Sequence, residues 1–506
     1  MSELRVVIGS GPNGISVTHA LLARNFDVLM LDVGRRLDGK MTTVTERMAQ
    51  QEPDEWSTSD KRLIQLVDFN TDPGLPPKRI FGSTFPYHLD PKIEAPSGMR
   101  LYGSRAYGGL STLWGCALLK AHEGDISNWP QDVKHGVDDA YPRIGALIEQ
   151  STGADIFAPA THLKISPAAE TMLDRFKQHP DAGETIDVFP TPLAISVGCK
   201  ACNSCMFGCV YGFTYNSRMT IESVFKKNSR FRYLGGVIVK RYQETGPGVE
   251  IHCVHEDDGR AETFLAKQLF LAAGMMGSLR IVWNSSPNVS RVVYARDSSL
   301  LLVPGVFPSA PRFRRAQYHG LSHLSIDLRE LPFQSKPAHF QLYFNNPAVA
   351  DGIITRLGAL AISPVRSVVR GVNRFLLAAQ GYLHSDFCHR LRLECGPDDV
   401  IHASVEHNPD NAKAIDTALS QLAKALRKLG AIVVTQAASV TPYGGSKTAG
   451  ALPHASIPDP ATTDQLGRPW GAKNVFIVDS TVAPSVPSRN HTLTMMANAL
   501  RIGQAA

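Results

Sequence analysis

Four cysteines lie within eleven consecutive residues in the middle of this chain. They are Cys199, Cys202, Cys205 and Cys209, and their spacing reads C-x2-C-x2-C-x3-C. Four thiolates at this spacing can ligate an iron–sulfur cluster, and the pattern predicts a metal site that holds a [4Fe–4S] cluster. Three alternatives stay open at this point: zinc bound by the same sulfurs, disulfides, and thiols without any metal. The other four cysteines are scattered and are expected to be buried thiols.

A glycine-rich turn near the N-terminus is the second motif with chemical meaning. Residues 9–14 read Gly-Ser-Gly-Pro-Asn-Gly between a predicted strand and a predicted helix. Glycines permit the tight turn and the close approach of a pyrophosphate, which the N–H groups of the helix N-terminus bind. Asp32, eighteen positions after Gly14, ends the next predicted strand, where a carboxylate would accept hydrogen bonds from a ribose. The predicted cofactor contacts here are Gly9, Gly11, Pro12, Asn13, Gly14 and Asp32.

Composition limits the classes of protein that could carry these motifs. The chain has 506 residues, of which 43% are apolar and 19% charged, with a formal net charge of +6. This composition excludes disorder as the main state, and no apolar run is long enough to span a membrane. The weak positive charge argues against a nucleic-acid partner. Because no signal sequence precedes the first strand, a cytoplasmic location is expected.

The surrounding sequence predicts the elements that position the motifs. Residues 1–36 read as a βαβ unit, and residues 37–98 as an irregular surface excursion. Many short strand-like runs occupy 300–400, and a helix follows over 411–429 with apolar residues on one face. Further elements are predicted as a helix over 133–150, paired strands over 231–241 and 248–256, and strands over 267–277 and 474–479.

Several further segments resemble the glucose–methanol–choline (GMC) oxidoreductases, and they occur in the order found in that family. Residues 108–115 resemble the second glycine motif of the family, and residues 271–274 with Ser278 resemble the strand and turn that close its FAD domain. Residues 474–480 and 490–494 look like its C-terminal pair of motifs. The further cofactor contacts that this resemblance implies are Gly108, Gly109, Ser111, Trp114, Ala273, Gly274, Asp479 and Thr492.

The resemblance also implies a fold and a reaction. The expected fold is α/β, with a three-layer Rossmann-like FAD-binding domain and a discontinuous α+β substrate domain built on an antiparallel sheet. The expected bounds are 1–299 for the FAD domain, including the cysteine segment 199–209, 300–430 for the substrate domain, and 431–506 for a return to the FAD domain. The reaction implied is hydride transfer from the carbinol carbon of an alcohol to flavin N5.

The active-site motif departs from the family pattern. The family pairs a histidine from an H-x-x-G motif with a second His or Asn, and the second partner is present here as Asn490 or His491. The first is absent: one alignment places Thr441 there, with Tyr443 nearby, and a second, preferred for its spacing, places Lys447 there. We expect His491 to accept the hydroxyl proton, Asn490 to hold the substrate oxygen, and Lys447 or Tyr443 to complete the pocket.

These observations predict an FAD-dependent dehydrogenase that oxidises a sugar, sugar conjugate or other polar alcohol and passes electrons through the cluster to a protein or quinone. A redox-neutral isomerase or lyase and a non-catalytic electron-transfer subunit are the alternatives. Residues 365–383 are expected to form a basic amphipathic helix, which either contacts a membrane surface, lines a site for an anionic substrate, or is an ordinary surface helix.

Overall fold

The structure is a computed structural model. It describes residues 3–65, 78–158, 161–179, 184–246, 248–309, 318–345, 364, 368, 371–441, 443 and 447–506. The helices of the described part are α1 (Pro12–Ala23), α2 (Gly39–Ala49), α3 (Thr58–Gln65), α4 (Gln131–Thr152), α5 (Pro167–Lys177), α6 (Ser217–Ser223), α7 (Met275–Trp283), α8 (Asn411–Lys428) and α9 (Thr492–Ala505).

A five-stranded parallel sheet forms one of the two main layers of structure. Its strands lie in the order β21–β11–β1–β2–β7, and each pair is parallel. They are β1 (Arg5–Ile8), β2 (Val28–Leu31), β7 (Phe231–Leu234), β11 (Gln268–Leu271) and β21 (Val475–Ile477). The central strands read as continuous apolar runs and are fully buried, as expected for a parallel sheet covered on both faces.

A seven-stranded antiparallel sheet forms the second main layer. Its path is β19–β13–β16–β15–β14–β6, and β20 also pairs with β13. These strands are β6 (Ile186–Pro190), β13 (Leu300–Val306), β14 (Leu324–Leu328), β15 (Ala338–Phe344), β16 (Leu376–Tyr382), β19 (Ile432–Val433) and β20 (Ser439–Thr441).

Apolar and polar side chains alternate along the central strands, so one face of this sheet is apolar and the other is polar. In β15 the even-numbered residues, such as Phe340 and Leu342, point into an apolar cluster that includes Leu422 and Leu426 of α8. The odd-numbered residues, His339, Gln341 and Tyr343, are polar and point the other way. Because both faces are buried, the polar face must lie against another part of the protein.

Three smaller sheets complete the described fold. One is formed by β8 (Val237–Thr245), β9 (Gly248–His255) and β10 (Ala261–Ala266); the second by β4 (Ile93–Glu94), β12 (Val292–Arg296), β17 (Arg390–Cys395) and β18 (Ile401–Glu406); the third by β3 (His88–Leu89) and β5 (Tyr102–Gly103). The predicted fold class is therefore confirmed. The predicted domain bounds stay a prediction.

The structure corrects three sequence expectations. The excursion over 37–98 contains the helices α2 and α3, because Val44, Met48 and Ile64 bury an apolar face there. The predicted strand over 231–241 is divided, since β7 joins the parallel sheet and only β8 pairs with β9.

The third correction concerns the basic amphipathic helix expected over 365–383. Its second half is strand β16, because alternate residues there pair with β13 and β15 and are buried. Arg366 and Arg370, two of its three predicted basic residues, lie outside the described residues. In the part of the chain that the structure describes, no helix combines the length and the apolar character needed to cross a bilayer.

The packing of α8 on the antiparallel sheet yields a stability test. Leu422 is fully buried in the apolar cluster. Leu422→Ala should lower the free energy of unfolding by about 2–5 kcal/mol, because it removes buried apolar surface and leaves a cavity. Urea unfolding followed by circular dichroism measures the change. The exposed Lys413→Ala on the same helix is the control, and an equal effect of both substitutions would contradict this packing.

Candidate functional site

The turn between β1 and α1 is shaped by steric requirements at two of its glycines. Gly9 has φ +100°, and a Cβ there would lie 2.4 Å from the carbonyl oxygen of Ala272. A Cβ on Gly14 would lie 2.0 Å from the Gly9 carbonyl oxygen. Gly11 differs, because nothing lies within 4 Å of the position its Cβ would take. The N-terminus of α1 therefore faces open space, as a pyrophosphate site requires.

Asp32, at the end of β2, lies beside this turn. Its carboxylate accepts hydrogen bonds from the Ser10 hydroxyl and, at 3.2 Å, from the Tyr233 hydroxyl. Burial raises the pKa of Asp32 to about 6, while these hydrogen bonds oppose the rise. Ser10 also accepts a hydrogen bond from the Gly108 backbone N–H at 2.8 Å, which joins the first glycine motif to the second.

The second glycine segment lies directly on the first. Gly108 and Gly109 both have positive φ, and a Cβ on Gly109 would lie 3.2 Å from the Cα of Gly11. The Ser111 hydroxyl donates to the Gly108 carbonyl at 2.6 Å, and the Trp114 indole donates to the Tyr215 carbonyl at 2.7 Å. These bonds hold the segment in place beside the open side of Gly11.

Asp479 lies just after β21, at the carboxyl edge of the parallel sheet. We call the region formed by the two glycine segments, Asp32 and Asp479 the cofactor cradle. Its carboxylate accepts from the Ser278 hydroxyl at 2.5 Å and from the Thr481 backbone N–H at 3.0 Å. Burial raises its pKa. Nothing lies within 4 Å of a Cβ built on Gly274, so this edge is open beside Gly274 as well. The open sides of Gly11 and Gly274, with Asp32 nearby, fit an FAD dinucleotide.

The polar face of the antiparallel sheet lies across from this cradle. Its side chains are Ser325, Asp327, His339, Gln341, Tyr343, Gln380 and Tyr382. A Cβ on Gly115, which ends the second glycine segment, would lie 3.9 Å from the Tyr343 hydroxyl. The second glycine segment therefore connects the cofactor cradle to the polar face.

A buried ionic cluster is centred on Asp327 of β14. One carboxylate oxygen lies 2.7 Å from Nδ1 of His339, and the other accepts from Arg489 at 2.5 Å and lies 3.1 Å from Nε2 of His122. Asp327 and His339 are both fully buried. This cluster joins the sheet to the loop that precedes α9 and to the segment after Ala117.

Lys447 and the loop 488–491 lie over the same face. The Lys447 ammonium donates to the backbone carbonyls of Ser488 at 2.6 Å and Arg489 at 3.1 Å. It also lies 3.6 Å from the ring centroid of Tyr382. Burial holds the pKa of Lys447 well below its usual range.

The two residues after Arg489 are the predicted proton acceptor and its neighbour. The Asn490 amide donates to the Ala117 carbonyl at 3.3 Å, which fixes its side chain. Burial, and then the charge of Lys447, lower the pKa of His491 to about 3. The structure thus brings three predicted residues, Lys447, Asn490 and His491, to one place.

The fourth predicted catalytic residue lies elsewhere. Tyr443 lies beside His389, with ring centroids 5.9 Å apart. The alternative residue Thr441 belongs to β20 and pairs with Leu300. His491 itself is the N-cap residue of α9, which begins at Thr492.

The cysteine segment does not have the predicted ligand geometry. Cys205 is buried and its sulfur accepts a hydrogen bond from the Gly320 N–H, whereas the Cys209 sulfur accepts from Phe213 N–H. All eight cysteines are free. Among the described residues, no three His, Cys, Asp or Glu side chains are grouped so that they could hold a metal ion. The predicted iron–sulfur cluster is therefore not supported, and we derive no step through it.

Sequence reasoning missed the buried cluster of Asp327, His339, His122 and Arg489. One signal could have found His339: within 338–344, polar residues at 339, 341 and 343 alternate with apolar ones. That pattern indicates a strand with one polar face, and a histidine on such a face is a candidate site residue. His122 and Arg489, the other partners of Asp327, come from distant segments and carry no local signal.

Comparisons with known proteins agree with this geometry. Residues 397–499 match the family profile of the C-terminal domain of the GMC oxidoreductases, described as "GMC oxidoreductase". The structure is similar to the crystal structure of pyridoxine 4-oxidase from Mesorbium loti, with a TM-score of 0.62. The two share 14% sequence identity over 100% of this chain and 99% of that one, a level that establishes a shared fold. No curated protein sequence matches the chain.

The cradle yields a test that separates folding from cofactor binding. Gly11→Ala should leave thermal stability of the FAD-free protein unchanged, because the new methyl group meets no protein atom within 4 Å. The same methyl group would occupy the space of the pyrophosphate, so FAD per chain should fall at least about tenfold. Absorbance of purified protein measures the FAD content. Gly39→Ala, whose Cβ also meets nothing, is the control. Full FAD occupancy in Gly11→Ala would contradict this placement.

Proposed function

Because residues 397–499 carry the C-terminal domain of the GMC oxidoreductases, we propose that this chain uses FAD to oxidise a hydroxyl group of a sugar, sugar conjugate or other polar alcohol. Bound FAD would supply the hydride acceptor for this oxidation. The protein's own part is to bind the alcohol, orient its carbinol carbon and manage the hydroxyl proton.

The observation that carries the proposal is the buried polar face of the antiparallel sheet opposite the cofactor cradle. Most polar side chains of this face have hydrogen-bond partners in the protein, but a buried polar group without a partner costs about 1–3 kcal/mol. Gln341 has a buried amide nitrogen without a partner among the described residues. Amides and hydroxyls on this face, such as Gln380 and Tyr382, supply the donors and acceptors that a hydroxyl-bearing substrate requires.

Lys447 is the group best placed to stabilise negative charge on the substrate oxygen. In the alignment preferred for its spacing, Lys447 takes the position of the histidine found in the family motif, and its nitrogen is buried close to His491. Two of its N–H bonds are directed to the carbonyls of Ser488 and Arg489, and the group carries a third N–H when it is protonated, a form that burial disfavours and that negative charge on the substrate oxygen would favour. Asn490 and the neutral imidazole of His491 lie next to it and would orient the alcohol oxygen.

The electron acceptor is a separate matter. The expectation of a dehydrogenase depended on a cluster that would carry single electrons, and the arrangement of the cysteines does not support that cluster. The structurally similar protein is named an oxidase. We therefore propose the oxidation of the alcohol alone, and the assay below identifies the electron acceptor.

The first test is reduction of the flavin by substrate. Anaerobic holoenzyme is mixed with a panel of sugars, polyols and pyridoxine, and the visible flavin absorbance is followed. At least one alcohol should bleach the flavin, and addition of oxygen or a quinone should then restore the absorbance and identify the acceptor. A holoenzyme with full FAD occupancy that no member of the panel bleaches would contradict the proposal.

Lys447→Met tests the role of the buried cation. The substitution keeps an unbranched side chain, one atom shorter, and removes the polar donor, so flavin reduction by the bleaching alcohol should slow by about 10²–10³ fold. FAD content should stay unchanged. Lys413→Met, an exposed lysine on α8, is the matched control. Equal reduction rates in both variants would remove Lys447 from the active site.

The cysteine segment has its own measurement. Iron, sulfide and zinc are determined per chain after anaerobic purification. Because the four thiols are not gathered into a ligand set, we expect less than about one metal ion per chain. Four iron and four sulfide per chain, lost together in Cys205→Ser, would restore the cluster and with it the dehydrogenase interpretation.

A further inference from the structure

His339 and Asp327 form a hydrogen-bonded pair inside the antiparallel sheet, on neighbouring strands. Nδ1 of His339 lies 2.7 Å from a carboxylate oxygen of Asp327, and the two residues are direct partners in the register of β14 and β15. Neither side chain is exposed to solvent. The pair is therefore held by both the backbone register and its own hydrogen bond.

Asp327 stays ionised in this position. Burial alone would raise its pKa, but hydrogen bonds from His122 and His339 and the charge of Arg489 hold the pKa well below its usual range. An ionised carboxylate only accepts hydrogen bonds, so the proton between the two residues belongs to Nδ1 of His339. This fixes the tautomer, with the lone pair of the imidazole on Nε2.

That second nitrogen is buried and has no hydrogen-bond partner among the described residues. A buried acceptor without a partner is costly, and native proteins usually satisfy it. The orientation of the ring is set by Asp327, so Nε2 is held in one direction with its lone pair free. This is the arrangement of a general base oriented by a carboxylate.

The free nitrogen belongs to the same surface as the proposed substrate site. His339 is paired across strands with Tyr382, whose ring lies 3.6 Å from the Lys447 nitrogen. Arg489, which binds Asp327, precedes Asn490 and His491 in the chain. The charged groups that face His339 are Asp327 on β14, Arg489 and Lys447, and His122 contacts the same carboxylate.

His339 is better supported as a base than His491. Burial lowers the pKa of both imidazoles, and the charges of Lys447 and Arg489 also lower that of His339, but the hydrogen bond and the charge of Asp327 oppose this decrease at His339. At His491 the neighbouring charge is Lys447, which lowers the pKa further, to about 3. A carboxylate stabilises the imidazolium that forms when a base takes a proton, whereas a nearby ammonium destabilises it.

We propose that His339, oriented by Asp327, is the catalytic base of the alcohol oxidation, and that it takes the place of the histidine missing from the C-terminal motif. This inference rests on the proposed function. In the step, the O–H bond of the alcohol breaks and its proton goes to Nε2. The electron pair of the broken O–H bond would form the carbonyl, and bound FAD would supply the acceptor for the hydride, with its two electrons, from the carbinol carbon.

His339→Asn is the decisive variant. The amide of asparagine offers an N–H near the position of Nδ1, so Asp327 keeps a donor, whereas the acceptor at Nε2 is removed. Single-turnover reduction of the flavin by the bleaching alcohol should slow by about 10²–10⁴ fold. FAD content and photochemical reduction of the flavin should be unchanged. His135→Asn, on the exposed face of α4, is the matched control and should reduce at the normal rate.

A second measurement needs no substrate. In protein labelled with 15N-histidine, the imidazole signal that is lost in His339→Asn should be one with an unprotonated Nε2 and a hydrogen-bonded Nδ1–H at neutral pH; His454, whose Nδ1 faces the Asp464 carbonyl and whose Nε2 faces the Asn498 amide, should give a signal of the same kind that remains. If the signal instead shows a protonated Nε2, the inference is overturned. If the flavin of His339→Asn is reduced as fast as the wild type, the inference also fails while the proposed function stands. If no alcohol bleaches the wild-type flavin, both fail.

Discussion

The need to satisfy one buried carboxylate connects the parts of the site. Asp327 has no exposure to solvent, and an isolated charge in that position would cost several kcal/mol. Its three partners come from the next strand, from the segment after Ala117, and from the loop before α9. These segments are far apart in the chain, so the carboxylate is satisfied only when the sheet and the C-terminal region have come together. The constraint that stabilises the junction also orients His339.

The two faces of the antiparallel sheet have different roles: one stabilises the fold, and the other belongs to the proposed substrate site. On one face, Phe340 and Leu342 pack with α8 and bury apolar surface, which provides stability. On the other face, the polar residues would be costly if they met only apolar protein. They therefore require a charged or hydrogen-bonding neighbour, and the segments that carry Lys447 and Arg489 provide it. A strand with strict alternation can serve both roles because its period is two.

A structural feature could be predicted from the sequence where the residues that determine it are close together in the chain. The glycine turn was predictable, because the clash at Gly9 or Gly14 follows from a strand, a turn and a helix that are adjacent in the chain. The helix α8 was predictable from periodicity. Strand β16 was read as part of a helix, because its arginines and valines also fit a helical period and its pairing partners lie far away in the chain. The cysteine spacing predicted a metal site, but spacing does not determine whether the sulfurs converge. The partners of Asp327 could not be predicted because they are brought together only by tertiary structure.

If Lys447 takes the position of the family histidine, as we propose, the rest of the site has a different task. A cation at this position would stabilise an alkoxide, but its charge lowers the pKa of the neighbouring His491. A second imidazole that is backed by a carboxylate can take the proton instead, provided that it lies on the same surface. His339 meets this condition through its pairing with Tyr382, on whose ring the Lys447 ammonium rests. In the arrangement that we propose, charge stabilisation would come from the C-terminal region and proton acceptance from the sheet, so that the two roles would belong to separate segments of the chain.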